Sequence, residues 1–534
     1  MRLAVSVARS GPVIMADEAG YLMNARVLAG GMPAEMGSSP FYRGGYSLLL
    51  APVLSLDADP VRAYHGALVL NAVLAASLVP LLYLLVTRCL GGSKTAGAWA
   101  AIAGAAYPSV TALSQVALSE NALFPLTVFW LLSIGCFMRA RVRVASIAWV
   151  LATGASAAAL WTVHGRMLVA VGLTVLLLVA LLARRQLELV TGGTGLIALG
   201  CTMVAGWLLN DWLVTNSYAG RRYDEAGKAF AALGDVDGVL AVLRNLLGHT
   251  WYVVVATLGI ALLVLVGDVP HAIARIRHAR GESADYLLVV LGATTGGLLV
   301  VSSLWLADAT RADQLIYGRY VEPVVPVLLA VGVVRLAGAG RLPHAGLLVG
   351  IVAAFTAVVA ALSANVDVSI APSRWNVASL PFLTGQLDAP VLVAAGTVAA
   401  AALGLILFIR GPAPAALAPL VLVLFVPTTA YIVYLPVLRS ERDVYPAGWT
   451  SPHPVVNGRH VETVAYDLDH FDHVGVKVYQ WFLPHTRMVL FHGDTAASPT
   501  PLYFSGRRAS YGSARRLWTD PGRDQALWQT TGLR

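Results

Sequence analysis

Apolar runs of about twenty residues recur along the chain, separated by short polar patches. Twelve stand out, near 65–87, 96–114, 120–138, 145–163, 167–183, 192–213, 250–267, 285–307, 320–337, 344–363, 389–410 and 415–438. An α-helix needs about 20 apolar residues to cross the hydrocarbon of a bilayer, so each run predicts a spanning helix. The residues before Asp17, with Arg2 and Arg9 interrupting a broken apolar stretch, read as a shortened first span rather than a cleaved leader. The pattern predicts an all-α polytopic membrane protein of about 12–13 transmembrane helices. Beyond residue 438 the rhythm changes. Val461–Tyr466, Arg487–Phe491 and Leu502–Phe504 read as strands and Phe471–Phe482 as a helix, so a transmembrane module over 1–438 is followed by a small α/β domain over 439–534.

Composition agrees: 57% of the 534 residues are hydrophobic and only 12% are charged, against about a quarter charged in soluble domains. The formal charge of +8 is carried almost wholly by Arg, since Lys occurs only at Lys94, Lys228 and Lys477. That Arg bias, with abundant Ala and Gly, suits a GC-rich bacterial genome. The placement of the cations matters more than their number. Arg88 and Lys94, then Arg139, Arg141 and Arg143, then Arg184 and Arg185, then Arg275, Arg277 and Arg280, then Arg335 and Arg341, then Arg410 fall in every second loop. Basic loops on one side of a membrane are the cytoplasmic ones, so this distribution speaks for a bilayer and against nucleic acid. The loops 16–64, 214–249, 308–319 and 364–388, the junctions near 115–119 and 164–166, and the tail from Arg439 onward then face outside, at a bacterial plasma membrane. Cys89, Cys136 and Cys201 each sit in or beside an apolar run, which gives no disulfide framework.

Candidate chemistry gathers in the outer segments. The first outer loop holds the acidic pair Asp17 and Glu18 at the head of a helical pattern, followed by Phe41-Tyr-Arg-Gly-Gly-Tyr-Ser-Leu-Leu-Leu-Ala-Pro52. The acids either serve chemistry or merely complement a helix N-terminus, worth about 0.3–1 kcal/mol. Glu120 opens a span, where a carboxylate needs a partner, a role, or a capping duty after Ser119. Arg43, Arg166 and Arg319 are placed to grip an anion or to snorkel to headgroups. His164, Tyr42, Tyr46, Tyr317 and Tyr320 offer hydrogen bonds and ring faces, or belong to an interfacial aromatic belt. Segment 214–249, with Tyr218, Arg221, Arg222, Tyr223, Asp224, Glu225 and Lys228, reads as a surface helix or a solvated loop. His470 and His473 with Asp467, Asp469 and Asp472, and separately His249 and His460, raise the question of a metal; the spacing lacks a second fixed pair, so no metal ligands are assigned.

The acidic pair, the Tyr-x-x-x-Ala that follows it, and the Arg43-Gly-Gly-Tyr segment resemble the GT-C superfamily of polyprenyl-phosphate-sugar-dependent glycosyltransferases, which includes bacterial aminoarabinose transferases and protein O-mannosyltransferases. Tyr107-Pro108 through Leu118-Ser-Glu-Asn-Ala-Leu-Phe-Pro125, His164-Gly-Arg166, and Tyr317-Gly-Arg-Tyr-Val-Glu-Pro-Val-Val-Pro326 extend the resemblance over roughly residues 15–440, all on the outer side. The resemblance implies a sugar passed from a polyprenyl-phosphate donor to an extracytoplasmic acceptor: cell-wall glycan, lipid or protein. By matching position Asp17 is the general base, with Glu18 as a supporting acid or the base itself. Arg166, Arg319 and Arg43 would hold the lipid phosphate, and Glu120 and the tyrosines would contact substrate. No cofactor is implied; a divalent ion is compatible with the chemistry but nothing indicates one. Family members begin with a full span before the acidic loop, whereas here only about fifteen residues precede Asp17. Two other functions fit a chain of this pattern, a transporter or flippase for a lipid-linked glycan and a scaffold whose tail binds a cell-wall partner. No clear repeat between halves favours the first, and so many spans make a poor anchor for the second.

Overall fold

A computed structural model gives the architecture. It describes residues 11–12, 15–36, 40–57, 59–218, 227, 231–307, 312–338, 345–363, 375–380, 383, 388–408, 425, 452, 455–456, 461–470, 473–492, 500–508, 513–520 and 524–530.

The helices follow the apolar runs. They are α1 Met15–Leu28, α2 Gly44–Ser55, α3 Pro60–Leu84, α4 Lys94–Ala105, α5 Pro108–Leu113, α6 Glu120–Arg139, α7 Arg143–Val163, α8 Leu168–Ala183, α9 Leu189–Ser217, α10 Val236–Ala256, α11 Ile260–Leu262, α12 Val269–Arg277, α13 Ser283–Trp305, α14 Ala312–Leu315, α15 Val325–Gly338, α16 Ala345–Ser363 and α17 Ala389–Phe408. Among the described residues nine helical stretches are long and apolar enough to cross a membrane. Local chemistry sets their starts. The Asp59 carboxylate accepts from the amides of Val61 and Arg62 ahead of α3, whose first residue is Pro60, and the Ser93 hydroxyl accepts from Ala96 ahead of α4. Both supply acceptors that the first turn lacks. Ile197, Val204, Trp207, Leu208 and Trp212 of α9 stand exposed, as lipid-facing side chains do and as a water-facing helix would not.

Three runs depart from single spans. The run 96–114 is two helices, because Pro108 has no amide to continue α4 and its residues instead start α5. The run 250–267 belongs to a helix that starts earlier, at Val236, and breaks where Leu258 and Gly259 take φ of 54° and 78°; residues 236–249 of the expected outer loop 214–249 are therefore helical. The run 320–337 begins with a 3-10 turn, Glu322–Val324, before α15. The run 415–438 and the boundary at 439 lie outside the described residues, apart from Phe425.

The C-terminal part holds helix α18 His473–Phe482 and strands β1 Thr463–Asp467, β2 Arg487–Phe491, β3 Leu502–Gly506, β4 Ala514–Thr519 and β5 Gln525–Thr530. The sheet order is β2-β1-β3-β5-β4. β1 lies parallel to β2 and β3, and β5 is antiparallel to β3 and β4. The first three strands and α18 are the elements foreseen from sequence. In β4 Arg515 and Arg516 are exposed at the sheet's edge, adjacent Leu517 and Trp518 pack on the core, and the register with β5 shifts between Arg516 and Trp518, so the strand carries no strict alternation to read.

This domain is fastened to the helix that carries the acidic pair. Arg26, near the end of α1, donates from Nη1 to the carbonyls of Gln480 (2.5 Å) and Leu483 (3.3 Å), and from Nη2 to Thr486 (3.4 Å). These are carbonyls at the C-terminal end of α18, where partial negative charge accumulates. Burial lowers the Arg26 pKa to about 10, still charged at neutral pH. The Gln480 side chain completes the joint by accepting from the Glu35 amide and donating to the Glu35 carbonyl, at 2.6 and 3.1 Å. Arg26→Ala strands these carbonyls without a cationic donor, and charge-assisted bonds contribute about 1.5–3 kcal/mol each. The expected result is faster amide exchange in α18 and a lower unfolding temperature; unchanged exchange there would contradict the docking.

Candidate functional site

The site is assembled from five chain segments: the start of α1, the segment before α2, the start of α6, the α7–α8 junction, and the turn before α15. Asp17 lies in the first turn of α1, with Tyr21 one turn on and therefore on the same face. Tyr42 and Arg43 immediately precede α2, whose Gly45 packs so closely on the Thr162–Val163 backbone that a Cβ would sit 2.7 Å from it. That approach brings segment 40–43 beside His164 and Gly165. The turn 317–320 is held from behind, the Asn376 carbonyl accepting from the amides of Gly318 (2.9 Å) and Arg319 (3.2 Å). The Asn376 side chain in turn donates to Asp313 at 2.6 Å.

Arg319 is the centre. Its guanidinium donates from Nη1 to Asp17 Oδ2 at 2.5 Å, from Nε to Glu120 Oε1 at 3.0 Å, and from Nη2 to Glu120 Oε2 at 3.4 Å. Arg166 Nη2 meets the same Glu120 Oε1 at 3.0 Å, and its guanidinium carbon stands 4.7 Å from the centre of the Tyr320 ring. The side chains of Glu120 and Arg166 are fully buried, whereas that of Asp17 keeps 33% exposure. Tyr42 donates to Asp17 Oδ1 at 3.2 Å.

A cavity of about 250 Å³ opens beside this network, lined among others by Asp17, Tyr42, Arg43, His164, Arg319 and Tyr320, with Trp305 and Phe41 completing its aromatic wall. Arg43 lies 4.4 Å over the Trp161 ring. Asp17 is the one carboxylate on the cavity wall among the described residues. Burial, reinforced by Arg166, Arg319 and Arg43, holds the His164 pKa well below its usual value, so the imidazole is neutral at physiological pH. Its contribution to stability is complete above its unfolded pKa and declines as pH falls through that value. Among the described residues the charged side chains on the cavity wall are Asp17, Arg43 and Arg319, with the buried Glu120–Arg166 pair bonded to Arg319 behind it. Guanidiniums on the wall of such a cavity suit an anion.

The remaining candidates are placed elsewhere. Glu18 is fully buried and points away from the cavity, accepting from Tyr64 Oη at 2.5 Å and the Ala117 amide at 2.7 Å. Tyr46 donates to Asn71 at 2.7 Å within the core. Tyr317 is buried behind the wall, edge-on to Tyr320 at 4.8 Å. Sequence reasoning passed over Trp305, whose signal was an aromatic at the end of a span, and Asn376, which had no signal. His470 bonds to Asp467 at 2.8 Å and His492 to Asp469 at 2.8 Å, yet no three metal-ligating side chains converge among the described residues. Tyr218 donates to Asn24, whereas Arg221, Arg222, Tyr223, Asp224, Glu225, Lys228, His460 and Asp472 lie outside the described residues.

The network makes a sharp stability contrast. Glu120→Gln leaves Arg166 buried without its counter-ion, a loss of about 3–5 kcal/mol, seen as a large drop in the unfolding temperature of the solubilised protein. Disrupting the exposed Asp57–Arg62 pair by Arg62→Ala leaves that temperature unchanged. Equal effects of the two substitutions would contradict the assignment.

No family model matches the sequence, and no curated protein matches it either. Solved structures do. ArnT from Cupriavidus metallidurans bound to undecaprenyl phosphate superposes with a TM-score of 0.57 at 16% identity, over 99% of this chain and 95% of that one. Its apo state gives 0.56 at 16% identity over the same shares. The oligosaccharyltransferase AglB from Archaeoglobus fulgidus scores 0.39 at 10% identity, over 91% of this chain and 63% of that one, too low to inform the fold. Membrane helices and C-terminal sheet together, the chain has the fold of ArnT.

Proposed function

We propose that this protein is a membrane glycosyltransferase that moves a sugar from a polyprenyl-phosphate donor to an extracytoplasmic acceptor. One observation carries the reading: a partly exposed carboxylate, Asp17, shares one cavity with the guanidiniums of Arg43 and Arg319. The similarity in fold to ArnT bound to undecaprenyl phosphate supports a donor of this class.

The donor phosphate takes Arg319 and Arg43 as its partners, Arg319 presenting N–H groups in a fixed fork suited to phosphate oxygens. An apolar groove of about 560 Å³, lined by Leu48, Leu49, Leu74, Phe129 and Leu209, shares Val163 with the cavity and suits a prenyl chain. The sugar lies against Tyr320 and Trp305. An acceptor hydroxyl beside Asp17 attacks the anomeric carbon while the bond from that carbon to the phosphate oxygen breaks. Its proton passes to Asp17, and the electron pair leaves with the phosphate, held as an anion by Arg319 and Arg43. Entry of the phosphate draws Arg319 from Asp17 and leaves the carboxylate to the acceptor. Neutral His164 adds no positive charge and can accept a sugar hydroxyl. Glu18, bonded to Tyr64 and Ala117, is a strut that fixes α1 and not a second base. The C-terminal domain lies outside with the loop it clasps.

Purified protein given a labelled polyprenyl-phosphate sugar and membrane acceptors should transfer label. Asp17→Asn keeps the fold and loses transfer by about 10²–10⁴-fold, the usual share of general-base catalysis. Retained transfer in Asp17→Asn would refute the assigned base.

A further inference from the structure

Far from the cavity, two of the chain's three cysteines touch. Cys89 and Cys136 are 47 positions apart in sequence, yet their Sγ atoms lie 4.0 Å apart. A buried residue meets about 6–12 others, so a given cysteine has roughly one chance in fifty of meeting one particular residue of a 534-residue chain. Local structure is shaped around the contact. Cys89 closes a π-helical turn, Leu85–Cys89, that continues α3, and such turns are rare and concentrate at functional positions. On α6 the residue beside Cys136 is Gly135, where a Cβ would lie 2.6 Å from Cys89 Sγ. Any larger side chain at 135 would push the Cys89 thiol aside.

The two thiols differ as a reactive pair requires. Cys89 is fully buried, whereas Cys136 is partly open. Arg139 follows Cys136 by one helical turn and Arg88 adjoins Cys89, so cations flank the pair at the Arg-rich ends of α3 and α6. The third cysteine, Cys201, is exposed on α9 and free.

We propose that Cys89 and Cys136 form a peroxide-reactive dithiol that closes to a disulfide within the membrane module. The Cys136 thiolate attacks one oxygen of hydrogen peroxide, giving a sulfenic acid and releasing hydroxide, which its displaced proton converts to water. The Cys89 sulfur then attacks the sulfenic sulfur, expelling a second water. Both thiols are oxidised by two electrons in total and the peroxide is reduced, 2 RSH + H₂O₂ → RSSR + 2 H₂O. Peroxide is small and uncharged and reaches the pair without a channel. The resulting bond would staple α3 to α6, the helices whose other ends carry Tyr64, holding Glu18, and Glu120, holding Arg166 and Arg319. By helix rise, Cys136 lies about 24 Å from Glu120 along α6.

The test uses the full chain in lipid nanodiscs with Cys201→Ser to remove intermolecular products. After hydrogen peroxide, digestion and mass spectrometry under non-reducing conditions should show the Cys89 and Cys136 peptides joined, with a loss of two hydrogens that a phosphine reductant reverses. In Cys89→Ser the intermediate has no partner and Cys136 should progress to sulfinic acid. Gly135→Ala, which displaces Cys89 Sγ, should slow closure at least tenfold relative to Gly135. Intact thiols after peroxide, or sulfinic acid on Cys136 with no joined peptide while Cys89 is present, would overturn the proposal. Neither result bears on the glycosyltransferase reading, because the thiols touch none of its residues.

Discussion

A guanidinium buried between two carboxylates at the ends of membrane-crossing helices is the constraint on which the rest of this structure depends. Arg319 cannot sit there unpaired, since an isolated ion out of water costs several kcal/mol even after relaxation. Glu120 and Asp17 supply the counter-charge from opposite sides. Glu120 in turn needs Arg166, because one carboxylate shared by two cations is the arrangement that leaves it compensated. Three helix ends and one loop are thereby drawn to one point, and the cavity is the space left between them.

The asymmetry of the two acids gives the network a direction. Glu120 is sealed and bonded on both oxygens, so it is a structural anion. Asp17 meets the same arginine but keeps an open side toward the cavity and a single weak partner in Tyr42. In the proposed reaction the donor phosphate therefore competes for Arg319 at Asp17 and not at Glu120. The C-terminal domain bears on the same geometry from a distance, since Arg26 and Asp17 share one short helix. A displacement of that helix would move the carboxylate, and errors of about 1 Å in a reacting group can cost about a hundredfold in rate.

Much of this was legible in the sequence. Spanning helices follow from length and hydropathy, which lipid enforces strictly, and the basic loops order them without any tertiary knowledge. Asp17, Arg43, His164, Arg319 and Tyr320 were all named from motif and placement, and the structure lines one cavity with them. Glu18 was not separable from Asp17 by sequence, because adjacent residues on a helix point about 100° apart and only packing tells which one faces the cavity. Tyr46 and Tyr317 are buried off the cavity wall, and sequence could not separate them from Tyr42 and Tyr320 because an interfacial tyrosine is equally at home in core or cleft. The kink at Leu258 and Gly259 and the edge strand β4 left no periodic signal, and the Arg26 joint spans 454 positions, beyond the reach of any local pattern.

The proposed binding of a lipid-linked phosphate on Arg319 is tested most directly by a cryo-electron microscopy structure of the protein in nanodiscs with polyprenyl phosphate. Phosphate oxygens are expected within about 3 Å of the Arg319 guanidinium, with the prenyl chain along Leu48 and Leu74 and the Arg319–Asp17 bond opened. A phosphate bound elsewhere, with that bond intact, would contradict it.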